Sequence, residues 1–165
     1  MTDWLIRGGQ VVTPYGVELS DIAIRDGKIQ AVGGQLTGSP DRTLDASNLL
    51  VLPGIIDVHT HPVYLDDLGA LSVTAAHGGV TTLIHFAYAK PGMGLVKTLH
   101  AFREEGEADS RLDFALHGGL FDPANQAHEI PLAMEQGVTS HKLFMTYAKL
   151  GWMTDDYQLM RTMDI

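Results

Sequence analysis

The apolar positions of this chain change period once, near Pro53. Before it they fall in short β-prone runs, Trp4-Leu5-Ile6 and Gln10-Val11-Val12, with Gly8-Gly9 between them and a turn at Pro14-Tyr15-Gly16. Asp21-Ile22-Ala23-Ile24-Arg25 and Lys28-Ile29-Gln30-Ala31-Val32 alternate around Asp26-Gly27, a dipeptide suited to a two-residue hairpin turn. A Gly-, Ser- and Pro-rich loop over residues 33–42 precedes a further strand over 43–52. Five short strands without helices predict part of a small β-sandwich over residues 1–52.

From Gly54 onward, strand-like runs at Ile55–His59, Val80–Phe86, Leu112–His117 and Val138–Met145 alternate with helix-compatible segments. The helices are expected over Asp66–His77, over Leu95–Glu105, and in a short segment opening at Pro131, a favoured first helical position. Gly78-Gly79 and Gly137 sit where helix C-caps belong, and Thr154-Asp155-Asp156 reads as the start of a fourth helix. This pattern describes an α/β unit over residues 53–165 with four βα units on a parallel sheet. It matches the first half of an eight-stranded (β/α)8 barrel, which takes about 250 residues when complete. The alternative is an open doubly wound sheet, but no glycine-rich phosphate loop follows the first strand.

At 165 residues and 45% apolar content the chain can bury a sizeable core. A net charge of −9 with no Lys/Arg cluster argues against a nucleic-acid partner. The absence of cysteine excludes disulfides and thiolate metal sites, and makes the cytoplasm the expected compartment. No secretory signal is read at the N-terminus and no apolar run reaches membrane-spanning length, so no membrane partner is expected.

Candidate chemistry lies in two stretches. In Gly54-Ile55-Ile56-Asp57-Val58-His59-Thr60-His61-Pro62, period-two alternation turns Asp57, His59 and His61 to one side of a largely buried strand that ends near Pro62. Neutral imidazoles paired in this way suit a shared zinc-type ion, while the plainer reading is two histidines satisfied by backbone hydrogen bonds. In Ser140-His141-Lys142-Leu143-Phe144-Met145-Thr146-Tyr147, Lys142 interrupts an apolar strand, where an unpaired ammonium is costly and a deprotonated amine is a nucleophile. A lysine pointing out of the open end, or paired with a carboxylate, is the plainer alternative. His141 is expected on the opposite face from Lys142 and His100 on a helix surface, while His117, ending the third strand, could reach the site but is expected as a packed residue. His85 and His128 have no useful spacing.

These two stretches, with Asp66-Asp67 and Gly78-Gly79-Val80-Thr81-Thr82, resemble the amidohydrolase superfamily, and within it the dihydropyrimidinase/D-hydantoinase group of cyclic amidohydrolases. The resemblance covers essentially the whole chain and corresponds to an N-terminal fragment of a family member. It implies hydrolytic ring opening of a small cyclic amide, a hydantoin or dihydropyrimidine, at a centre of two divalent metal ions, usually zinc. His59 and His61 would hold one metal, and a carboxylated Lys142 would bridge both. Tyr147 would be catalytic, its hydroxyl holding the substrate carbonyl oxygen and stabilising the oxyanion. A homo-oligomer is expected of the full-length form.

The departures from the family pattern are equally specific. Two further histidines and a proton-shuttling aspartate belong to later strands, so the 165-residue chain itself is expected to be inactive. His85 stands where relatives commonly carry aspartate. Val63 replaces the arginine usual in dihydroorotases, which counts against them, and Tyr147 points away from allantoinase. A non-catalytic relative used for assembly is the alternative from another functional class.

Overall fold

The computed structural model describes residues 3–62 and 66–165. The chain divides into two compact units, Met1–Pro53 and Gly54–Ile165. The first holds β1 (Trp4–Thr13), β2 (Gly16–Arg25), β3 (Lys28–Gly33), β4 (Arg42–Asp45) and β5 (Leu50–Val51). They form a single sheet in the order β3-β2-β1-β4, with β5 also on β1. The described strands thus give one sheet where a sandwich segment was expected. Hairpin pairing is antiparallel through β1, β2 and β3, whereas β4 and β5 run parallel to β1.

Two expected strand boundaries shift for local reasons. Gly8-Gly9 does not separate two strands. It makes a bulge in one, with a register shift between Ile6 and Gly9 and Gly8 at φ +66°. The single strand expected over 43–52 is instead divided into β4 and β5. There Asp45 Oδ1 accepts a bond of 2.9 Å from the Ser47 N–H, and Asn48 takes φ +65°. The β2–β3 turn keeps its predicted residues, with Asp26 and Gly27 both at positive φ as a primed turn requires.

The second unit is a curled four-stranded parallel sheet, β6 (Ile55–Thr60), β7 (Val80–Ala89), β8 (Asp113–Leu120) and β9 (His141–Lys142), in that order. Its helices are α1 (Leu68–His77), α2 (Leu95–Asp109), α3 (Pro123–Gln126), α4 (Ile130–Glu135) and α5 (Asp156–Met163). Asp67 caps α1 through Ala70 N–H at 2.8 Å, and Asp155 with Gln158 forms a capping box on α5. None of the described helices is long and apolar enough to cross a membrane.

Two readings of this unit are corrected. The strand expected over 138–145 shrinks to His141–Lys142. Gly137, at φ +87°, and Val138 close the end of α4, where their N–H groups donate to Met134 and Ala133 carbonyls, so neither is available for a strand. After Lys142 the chain turns away, with the Thr154 N–H bonded to the Phe144 carbonyl. The strand carrying His59, expected to be largely buried, is a sheet edge, and Ile55, Ile56 and Val58 are all more than half exposed.

The period of two on β7 sorts its side chains between two faces. Ala87 and Ala89 join Leu95, Leu99, Leu116 and Leu120 in the layer between sheet and helices. Phe86 and Tyr88 face the other way and pack with Phe121, Phe144 and Trp152. His85 falls on the helix side, 1% exposed between the Phe102 and Phe114 rings, and neither ring nitrogen has a hydrogen-bond partner among the described residues.

Burial, followed by the nearby His117, pushes the His85 imidazole down to about 4. The folded state therefore prefers neutral His85, and the unfolded chain binds the extra proton between pH 6.5 and 4. Stability is complete above that window and is lost as pH falls through it, by on the order of 3 kcal/mol. His85→Leu should flatten the decline in urea-unfolding free energy between pH 7 and pH 4.5. Equal declines in parent and variant would remove His85 as the cause.

Candidate functional site

The second unit's candidate groups meet on the helix-free face of the sheet, around the ring of Phe86. His59 and His61, at the end of β6, have ring centroids 4.9 Å apart, and they lie 4.7 and 4.9 Å from Phe86. The Lys142 ammonium, brought in on β9, lies over the Phe86 ring at 4.5 Å and over Phe144 at 5.0 Å. His117, from β8, completes the ring of contacts at 4.7 Å. The structure thus brings His59, His61 and Lys142 together although 81 residues of sequence separate the last two.

Why these side chains share a face follows from strand alternation and curl. His141 neighbours Lys142 and, as expected, turns to the helix side beside Leu95. His117 reaches past β7 to β6, where its Nε2 is 2.9 Å from the Val58 carbonyl, and its Nδ1 meets the Ser140 hydroxyl. That reach is possible because the β6–β7 register shifts between Asp57 and Thr60, leaving Val58 out of the ladder. Asp57 accepts the His59 N–H at 3.0 Å and shapes the same segment.

Electrostatically the face is basic. His61 is held below the ordinary imidazole range, first by burial and then by the positive charges of Lys142 and His59. It is therefore neutral at pH 7, the form in which imidazole binds metals. Lys142 is half-buried, less enclosed than the sequence suggested, and no described carboxylate lies within ion-pair distance of it. Among the described residues, no group of three or more His, Cys, Asp or Glu side chains is arranged to hold a metal. The candidate donor set is two imidazoles and one amine.

Tyr147 stands one ring away from this cluster. Its ring centroid is 5.7 Å from that of Phe144, which itself touches the Lys142 ammonium, and 6.1 Å from Trp152. Its backbone takes φ +66°, a sparsely populated conformation for an aromatic residue of the kind that recurs at functional sites. The side chain is about half exposed. Sequence reasoning missed Tyr88, whose hydroxyl lies 2.7 Å from His61 Nδ1, and Phe86 as the common platform. Their signal was two aromatic residues at period two on the strand beside the histidines. Val63 lies outside the described residues.

Comparison with known proteins supplies the family. No family model matches the chain. A D-hydantoinase of Ralstonia pickettii is 35% identical over 170 residues, spanning 98% of this chain and 37% of its own length. Rattus norvegicus dihydropyrimidinase is 34% identical over 169 residues, spanning 94% of this chain and 32% of its own. A solved D-hydantoinase structure superposes with a TM-score of 0.91 at 35% identity, covering 98% of this chain and 37% of that one. The chain is a relative of the D-hydantoinases and dihydropyrimidinases. Dihydropyrimidinase from Brevibacillus agri gives a TM-score of 0.89 at 28% identity over 97% of the chain. The chain spans little more than a third of the length of these D-hydantoinases and dihydropyrimidinases, which by name act on cyclic amides.

A double-mutant cycle tests the platform. With Lys142→Met and Phe86→Leu combined, urea unfolding in bicarbonate-free buffer should give a coupling of about 0.5–2 kcal/mol, the worth of a partly desolvated cation over an aromatic face. Additive effects would mean that the ammonium does not rest on Phe86.

Proposed function

We propose that this chain carries part of the active site of a metal-dependent cyclic amidohydrolase, and that its second unit is the first half of a (β/α)8 barrel. The observation that carries the reading is the convergence of His59, His61 and Lys142 on Phe86 from two edge strands. All three lie at C-terminal strand ends, where barrel active sites are built.

The donor set fits a metal, given one modification. Three potentially cationic groups meet with no described carboxylate in ion-pair distance of them, so bringing a divalent ion among them calls for an anion. The Lys142 ammonium gives up one proton to solvent, and its free amine then adds to carbon dioxide with loss of a second proton, so that an anionic carbamate with two oxygens replaces the cation. His59 and His61 would hold one ion, and Lys142 would lie between two. Bound there, divalent metal supplies Lewis-acid polarisation and a lowered pKa for water. The chain's own contribution is to place the His59 and His61 imidazoles and to keep the site floor apolar through Phe86, Phe121 and Phe144. Tyr147 contributes a hydroxyl donor toward the oxygen of a substrate carbonyl. The substrate class is a small cyclic amide of the hydantoin or dihydropyrimidine type.

The test is a hybrid in which this chain replaces the corresponding residues of the Ralstonia pickettii D-hydantoinase. The hybrid should open hydantoin or dihydrouracil. Lys142→Ala should remove most of its metal, read by elemental analysis, together with its activity. Full metal content in that variant would sink the bridging role. A folded, metal-loaded hybrid that opens neither ring would overturn the function.

In the same hybrid, Tyr147→Phe should leave metal content unchanged and lower kcat about 100- to 1,000-fold, as expected for loss of an oxyanion donor. A kcat within about threefold of the parent's, far short of that range, removes Tyr147 from the chemistry.

A further inference from the structure

We propose that Tyr88 is a positioning residue for His61, its hydroxyl fixing the ring through Nδ1 so that Nε2 is the nitrogen presented for ligation. The inference rests on the metal-site reading above and adds a residue outside the ligand set. Its basis is the 2.7 Å contact between Tyr88 Oη and His61 Nδ1. A ligating histidine needs its other nitrogen held, because that bond sets both tautomer and ring angle. Losing such a partner typically costs about 10- to 100-fold in metal affinity.

The tyrosine is built to hold still. Its ring is stacked 5.7 Å from Phe86 and 5.2 Å from Phe121, and it is 8% exposed. The strand just beyond it is clamped, since the Ala89 carbonyl accepts from Phe121 N–H at 3.1 Å and from Gln126 Nε2 at 3.0 Å. Gln126 is itself buried and also bonds the Lys90 and Met93 carbonyls at 3.0 Å each, so the exit from β7 cannot drift. Gly119 on the adjacent strand leaves room for the ring, and a Cβ there would stand 2.4 Å from Tyr88 Cδ1. The two ring planes of Tyr88 and His61 lie 14° apart, which brings the hydroxyl to the imidazole edge. Phenylalanine at 88 would keep the ring and its packing and remove the hydroxyl that meets His61.

Two variants reach the same bond by different routes. Tyr88→Phe deletes the hydroxyl, and Gly119→Ala keeps it but displaces the ring. Each is compared with the 165-residue parent and with His61→Gln in two measurements. One is zinc affinity by competition with a chromogenic chelator in bicarbonate buffer. The other is the tautomer of His61, from long-range proton–nitrogen spectra of the zinc-free chain. The expected result is one fixed tautomer in the parent, a mixture or a shifted ring signal in both variants, and zinc affinity about 10- to 100-fold weaker in each. An unchanged His61 spectrum and unchanged affinity in Tyr88→Phe would overturn the positioning role while leaving the metal reading intact. Parent-like zinc affinity in His61→Gln would overturn the metal reading, and the His61 spectrum of Tyr88→Phe would still decide whether the hydroxyl fixes the ring.

Discussion

One aromatic ring organises the candidate site. Phe86 presents its face and edges to His59, His61, His117, Tyr88 and the Lys142 ammonium, and every one of these groups comes from a different position in the chain. A phenyl ring tolerates such a company because it offers a cation a negative face and an imidazole a flat apolar surface. It offers no charge, however. The accumulated positive character of the cluster is left for something else to balance, and that asymmetry gives the site its chemical direction. His61 already responds to it, held neutral by burial and by its basic neighbours.

The same strand separates this chemistry from the packing that supports it. Phe86 and Tyr88 look toward the site, while Ala87 and Ala89 on alternate positions let α2 approach closely enough for Leu95 and Leu99 to seal the helix layer. His85 is the exception on that side, a polar ring between two aromatic rings and without a hydrogen-bond partner for either nitrogen among the described residues. Its cost falls on stability at acid pH rather than on the site, because the pleat points it away. His85, a residue without useful spacing in the sequence, therefore belongs to the core.

The curl of the sheet does as much as its pairing. His117 crosses from β8 to the Val58 carbonyl on β6, two strands away, and so links the segment carrying His59 to the far side of Phe86. A flat sheet would not allow that reach. The register shift at the end of β6 frees the carbonyl that His117 takes, so a local irregularity and a tertiary contact depend on each other. Likeness to a solved D-hydantoinase structure extends over 98% of the chain.

What the sequence determined by itself was whatever depends on short spacing. The Asp26-Gly27 hairpin, the caps at Asp67 and Asp155, the alternation that puts His59 and His61 together and His141 opposite Lys142 all follow from periods of two or from residues a few positions apart. Backbone geometry fixes these wherever the chain goes. Only the tertiary structure decided the rest. It turned the expected strand over 138–145 into a two-residue bridge, because the helix end before it claimed Gly137 and Val138. It left Ile55, Ile56 and Val58 of β6 more than half exposed, and it kept Lys142 half-buried on two aromatic faces. It also paired Tyr88 with His61 and His117 with Val58 across 27 and 59 residues. Contacts of that range carry no periodic trace in the chain, since they exist only once parallel strands have been laid side by side and curled.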